Sequence, residues 1–154
     1  MFKNILIPVI LLFLSSCGYE AIHSKKNLED YNFFISELTT KGNRDVNIKI
    51  REKLVNYVLK KQGKSLILKI YSEAEKVVVA KDTAGDPTSF KYTVVIDTEV
   101  MMGKDFETWY QIIESFNYNN NANKFDLKRY EREIINNLAE TATQKLIYKL
   151  SNIK

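Results

Sequence analysis

The chain has 154 residues, 45% of them apolar and 27% charged, with a formal charge of +4 at pH 7. That length holds one domain with a real core rather than two, and with so much apolar and aromatic content disorder is not the default. The positive charge is mild and diffuse, which argues against nucleic acid and only weakly for an anionic partner such as a phosphorylated lipid or an acidic protein.

Met1 to Asn4 is short and carries one charge, Lys3, and Ile5 to Leu14 is an apolar run broken only by Pro8. The run is too short for a bilayer, which needs roughly 20 apolar residues, but it fits the ~7–15-residue core of a signal peptide. Leu14-Ser15-Ser16-Cys17 follows directly and resembles the lipobox of bacterial lipoproteins. Small residues let the peptide lie extended in the signal peptidase, and the cysteine sulfur carries a diacylglyceryl thioether. A conventional signal peptide with a chance cysteine, or a buried N-terminal helix, is the alternative. Neither accounts for charge, apolar core and box in that order. Cys17 is also the chain's single cysteine, so lipidation would use up a thiol that would otherwise need explaining.

The sequence therefore divides into a signal peptide over 1–16, a lipidated tether over 17–30 and one domain over 31–154. No cofactor is expected beyond the covalent diacylglyceryl and N-acyl lipid on Cys17. Gly18 stands where an aspartate often marks inner-membrane retention in enteric bacteria. The expected location is thus the periplasmic leaflet of the outer membrane.

Tyr31 to Thr39 is aromatic and β-compatible and reads as a first strand, punctuated by Lys41-Gly42-Asn43. From Arg44 to Lys61 the apolar residues fall at helical spacing: Val46, Ile50, Leu54 and Val58, with Val55 and Leu59 widening the stripe. Asn43 is the expected N-cap and Gly63 the expected stop. Lys49, Lys53 and Lys60 occupy solvated positions.

The period then becomes two. Leu66, Leu68 and Ile70 alternate with polar residues, and β-branched residues return at Val77 to Val79 before the turn-rich Asp82–Pro87 stretch. Phe90, Tyr92, Val94, Ile96, Val100 and Met102 share one parity. After Gly103-Lys104-Asp105, so do Phe106, Tyr110, Ile112, Phe116 and Tyr118. Three runs joined by short turns predict an antiparallel meander buried on one face. An asparagine-rich loop over 117–124 precedes a last helix on which Leu127, Tyr130, Ile134, Leu138, Ala142, Leu146 and Leu150 form one apolar face. Asp126 or Asn123 would cap it. The predicted fold class is α+β: a two-layer sandwich with two helices on one face of a mostly antiparallel four-stranded sheet.

No catalytic set emerges. The one histidine, His23, lies in the tether, so neither a metal cluster nor a histidine relay is expected, and no glycine-rich phosphate loop occurs. Acidic pairs such as Asp82 with Asp86 and Glu73 with Glu75 sit where turns and strand surfaces normally carry charge. The chain is read as a non-enzyme. Trp109 faces opposite to Tyr110, either as an exposed contact or packed under a loop. Lys81, Lys91 and Lys104, on strands and turns, are the candidate contacts for lipid phosphates.

Cys17-Gly18-Tyr19 resembles the start of the mature LPS-assembly lipoproteins (LptE). The order of elements is similar too: a helix with spaced leucines, then Leu66-x-Leu68-x-Ile70, then long strands. Ser115-Phe116-Asn117-Tyr118, Phe125, and a terminal helix with Leu138-Ala139 and Ile147-x-x-Leu150 resemble the alphaproteobacterial branch. The resemblance implies a plug inside a large outer-membrane β-barrel, the LPS-assembly protein. The lipoprotein would help that barrel fold, bind lipopolysaccharide and take part in its transport to the cell surface. The alternative is a periplasmic lipoprotein that chaperones or pilots another envelope complex, such as a secretin.

Overall fold

Six elements run in the order β1 (Phe33–Gly42), α1 (Arg44–Leu59), β2 (Lys64–Lys81), β3 (Pro87–Met102), β4 (Phe106–Asn119) and α2 (Lys124–Ser151). The computed structural model describes residues 32–103 and 106–153. The expected signal peptide, Cys17, the tether and Lys104 lie outside the described residues.

The strands form one sheet in the order β1-β2-β3-β4. β2, β3 and β4 make the expected antiparallel meander, in register from Ile67 opposite Met101 and from Met102 opposite Phe106. β1 runs parallel to β2, so the sheet is mixed. A parallel neighbour needs a crossover rather than a tight turn, and α1 supplies it. A register shift between Ile35 and Glu37 restores the alternation. It sets Ile35 beside Leu66 and Leu38 beside Leu68 on the helix side.

Both helices start from side-chain caps. Asn43 Oδ1 accepts the backbone N–H groups of Asp45 and Val46, both at 3.1 Å. Asn123 Oδ1 accepts those of Phe125 and Asp126, at 3.0 and 3.3 Å, which settles the cap of α2 in favour of Asn123. α1 ends at Leu59 rather than Lys61, and Gly63 falls in the following loop. Its buried face is Val46, Asn47, Ile50, Leu54 and Tyr57, with Tyr57 stacked on Phe33 at 5.0 Å between ring centroids. Val58 and Leu59, expected on that stripe, point to solvent. The interface closes at Tyr57, whose ring fills the last turn's share of it.

The core lies between the helices and the inner sheet face: Leu66, Leu68, Ile70, Val94, Ile96 and Val100 from the strands, Ile50, Leu54, Leu146 and Leu150 from the helices. Beyond it Phe90, Tyr118, Leu127 and Ile134 form a second cluster, with Tyr92 and Leu138 at its margin. Tyr130, expected in the core, is 43% exposed, and Leu138 is only partly buried. The buried arc of α2 turns toward Ala139, Thr143 and Ile147 because the second half of the helix packs on α1 as well as on the sheet. Lys53 Nζ and Glu140 Oε1 close that seam at 2.5 Å.

One core position is polar without a partner. Thr98 is fully buried on the inner face of β3 and its hydroxyl makes no hydrogen bond. A buried polar group left unsatisfied costs about 1–3 kcal/mol. Thr98→Val, which keeps the shape and removes the hydroxyl, is therefore expected to raise the melting temperature by a few degrees. A lower melting temperature would show that the hydroxyl is satisfied in solution.

Candidate functional site

Where β4 ends and α2 begins, the asparagine-rich turn leaves an open groove of about 1000 Å³. Phe116, Tyr118 and Tyr130 give it aromatic walls, Asn117 and Asn119–Asn121 give it amides, and Arg129, Asp126 and Glu133 give it charge. The turn is held by Asn120, whose side-chain amide donates to the Pro87 carbonyl at 2.7 Å and whose backbone N–H donates to Thr88 at 2.8 Å. Tyr130 meets Tyr118 edge-on at 6.0 Å.

Beside the groove sits a three-residue polar knot. Glu131 Oε1 accepts from Lys76 Nζ at 2.5 Å and from the Tyr118 hydroxyl at 2.8 Å. Lys76 Nζ also lies 3.9 Å from the centroid of the Phe90 ring, so the cation has both a carboxylate and a π face. Burial, then the hydrogen bond to Glu131, holds the Tyr118 hydroxyl protonated well above the ordinary tyrosine range. Burial likewise raises Tyr92. A neutral phenol hydrogen-bonded to a carboxylate that already faces a lysine is a clamp between β2, β4 and α2. It is not a nucleophile with a base.

The outer face of the sheet carries no helix among the described residues. Trp109 stands there 58% exposed, so it is not packed under a loop of the described residues. In register beside it lie Glu99 and Lys69, joined at 3.2 Å, and the next row pairs Gln111 with Asp97 at 3.0 Å. Ile113 and Tyr71 are also exposed on this face. Tyr71 is raised by its hydrogen bond to Glu73.

The candidate phosphate contacts are spread out. Lys81 closes β2 at its pairing with Pro87, and Lys91 lies on the outer face opposite Val77 and Asn117. The turn that holds Lys104 follows Met102, eleven residues beyond Lys91 along β3. At about 3.3 Å per residue that is ~36 Å, more than one head group spans. Lys76 and Glu131 were not singled out by the sequence as a pair, because 55 residues separate them. Among the described residues no helix is long and apolar enough to cross a membrane, and no group of acidic, histidine or cysteine side chains is placed to hold a metal.

No protein-family model matches the chain, and no curated protein matches its sequence. Solved structures do. Rare lipoprotein B from Shewanella oneidensis superposes with a TM-score of 0.60 at 10% identity, over 75% of this chain and 93% of that one. A minor lipoprotein from Acinetobacter baumannii gives 0.57 at 8% identity, over 77% and 92%. Lipoprotein B from Nitrosomonas europaea gives 0.54 at 11% identity, over 77% and 83%. At such identities the likeness is one of fold, and the fold of this chain is the one found in these three bacterial lipoproteins.

Proposed function

We propose that this chain is a lipid-anchored lipoprotein of the outer membrane, facing the periplasm, that plugs and helps fold the LPS-assembly β-barrel. In this role it takes part in carrying lipopolysaccharide to the cell surface and catalyses no reaction. The observation that carries the reading is the two-layer fold shared with solved lipoproteins along nearly their whole length. The lipobox ending at Cys17 supports it from the sequence. The uncovered sheet face supports it from the structure. Trp109, Ile113 and Tyr71 set around the Lys69–Glu99 ion pair and the Gln111–Asp97 hydrogen bond form a surface of mixed character, suited to the polar wall of a wide barrel. Lys81 and Lys91 are the contacts for glycolipid phosphates on one half of the sheet, with Lys104 as a separate contact at the far turn.

The test is extraction in mild detergent followed by mass spectrometry of whatever co-purifies. An outer-membrane barrel recovered in near-equal amount, whose folded fraction falls when this chain is depleted, is the expected result. Recovery of a secretin or another envelope complex instead would make the chain a periplasmic chaperone or pilot. Recovery of no barrel would end the plug reading.

A further inference from the structure

Among the described residues the sheet ends in two edge strands, β1 and β4, and the two edges differ. β1 is guarded. It has 10 residues against the 14 of β4, carries the register shift between Ile35 and Glu37, and ends in Lys41 and Gly42. Bulges, lysines and short length are the devices by which an edge strand refuses further pairing. β4 has none of them. It includes no lysine, arginine, proline or glycine, and it pairs with β3 in unbroken register from Phe106 to Asn119. Of its two acidic positions, Glu114 is neutralised by Lys145. Trp109 and Ile113 stand 58% and 56% exposed on its outer face. A long, regular, β-prone strand of low charge offers a row of backbone donors and acceptors to one more strand.

We propose that the edge of β4 pairs antiparallel with the same edge of a second copy of this chain, joining the two sheets into one. The strand itself names the occupant. Opposite residues of an antiparallel pair share a face, so a two-fold axis between identical strands passes through a residue position. Centred on Gln111, β4 complements its own reverse. Trp109 falls opposite Ile113 of the second copy and Ile113 opposite its Trp109, so the two exposed apolar side chains cover each other. Pairs of an aromatic with a β-branched residue are among the favoured ones across strands. Tyr110 and Ile112 meet on the helix side. Positions 107 and 114, both acidic, fall opposite Ser115 and Thr108, so no carboxylate meets another. Moving the axis one residue either way sets Trp109 opposite Gln111 or Ser115, and the match is lost. The helix layer has room for the pair. α2 packs on both β3 and β4. With strands about 4.8 Å apart, its twin would lie about 10 Å away, the spacing at which helices pack. The inference goes beyond the barrel reading and needs neither barrel nor lipid, since it describes the chain on its own.

The experiment takes the chain as the cell processes it, purified in mild detergent, and adds single cysteines under mild oxidation. Non-reducing gels and the masses of linked peptides are the readout. Gln111→Cys meets itself at the axis, with Cα atoms about 4.5–5.5 Å apart, within reach of a disulfide. Trp109→Cys and Ile113→Cys each lie four residues, ~13 Å, from their own twins and cannot link alone. Mixed together, they should link to each other. Gln111→Cys is expected to link as a dimer. Adding Trp109→Lys, which removes both Trp–Ile pairs, should slow that linking about tenfold. Trp109 is exposed, so the fold should persist, and circular dichroism checks it. Gln111→Cys and the mixed pair both staying monomeric would give the edge to some other strand and overturn the proposal. Trp109→Cys linking alone as fast as Gln111→Cys would overturn it too, since contact without register is not this pairing. The linked peptide keeps the anchor separate. A link through Cys17 would show a free thiol there and refute lipidation, while the peptides holding residues 109, 111 and 113 still decide the pair.

Discussion

Gly42→Ala is expected to lower the melting temperature by roughly 10–20 °C, or to prevent folding. Gly42 ends β1 with φ +99, a conformation that side chains of L residues rarely adopt. A Cβ there would also lie 2.0 Å from the carbonyl oxygen of Ser72. That oxygen cannot retreat, because Ser72 sits within β2, paired to Gly42 on one side and Ile96 on the other. It already accepts the backbone N–H of Asn43 at 2.8 Å. The Ser72 hydroxyl bonds Asn47 Oδ1 at 2.9 Å, and Asn43 caps α1. One methyl group would thus strain the backbone and push the first turn of α1 off the strand beneath it. Backbone strain of about 1–2 kcal/mol and cap loss of about 0.5–2 kcal/mol add to the clash. A domain of this size has about 5–15 kcal/mol of stability in all. Gly85→Ala is the control, since Gly85 has φ +91 but nothing within 4 Å of the added carbon. It should show the backbone term alone. Thermal unfolding followed by circular dichroism compares the two. Equal shifts would mean that the Ser72 corner yields.

Gly42 marks the boundary of what could be read from the sequence. Lys41-Gly42-Asn43 was legible as punctuation, and Asn43 as a cap, because both are local chemistry. That Gly42 must be glycine on account of Ser72, thirty residues later, was not. The same division runs through the fold. Parity along β3 placed Phe90, Val94, Ile96 and Val100 inside, since a strand covered on one face alternates at fixed period. Parity failed at Phe116, which has the inward parity of Ile112 and Tyr118 and is still 46% exposed. It lines the open groove where α2 has not yet closed over the sheet. Helix faces were legible at their centres and misread at their ends. Val58, Leu59 and Tyr130 keep the spacing but lie beyond or beside the neighbour that would cover them. β1 was recognised as a strand, but nothing in its residues says that it runs parallel to β2. The knot of Lys76, Tyr118 and Glu131 joins three elements, and the sequence holds no local trace of it.

Cys17→Ser should abolish lipid anchoring at the outer membrane, the largest functional effect expected of any single substitution in this chain. The residue lies outside the described residues, so the case rests on the sequence and on chemistry. The thioether to diacylglycerol needs a sulfur nucleophile. A thiol ionises near pH 8.5 and reacts as its thiolate, whereas a serine hydroxyl stays protonated and is far weaker. Without the thioether the signal peptide expected over 1–16 would not be cut before residue 17, and no amino group would be freed there to take the last acyl chain. The energetic consequence is large. Each buried methylene contributes about 0.8 kcal/mol, one chain alone holds a protein only marginally, and stable anchoring takes two signals. With the chains gone, no described helix is long and apolar enough to cross the membrane in their place. The variant is therefore expected as an uncleaved precursor or in the soluble periplasmic fraction, and under the proposed function the barrel would be under-folded in either case. Fractionation on a density gradient and the mass of the N-terminal peptide read both outcomes. The wild-type chain should band with the outer membrane, as Gly18 in place of an aspartate leads one to expect. A Cys17→Ser chain of normal mature mass in the membrane fraction would show that something other than lipid on residue 17 holds this protein.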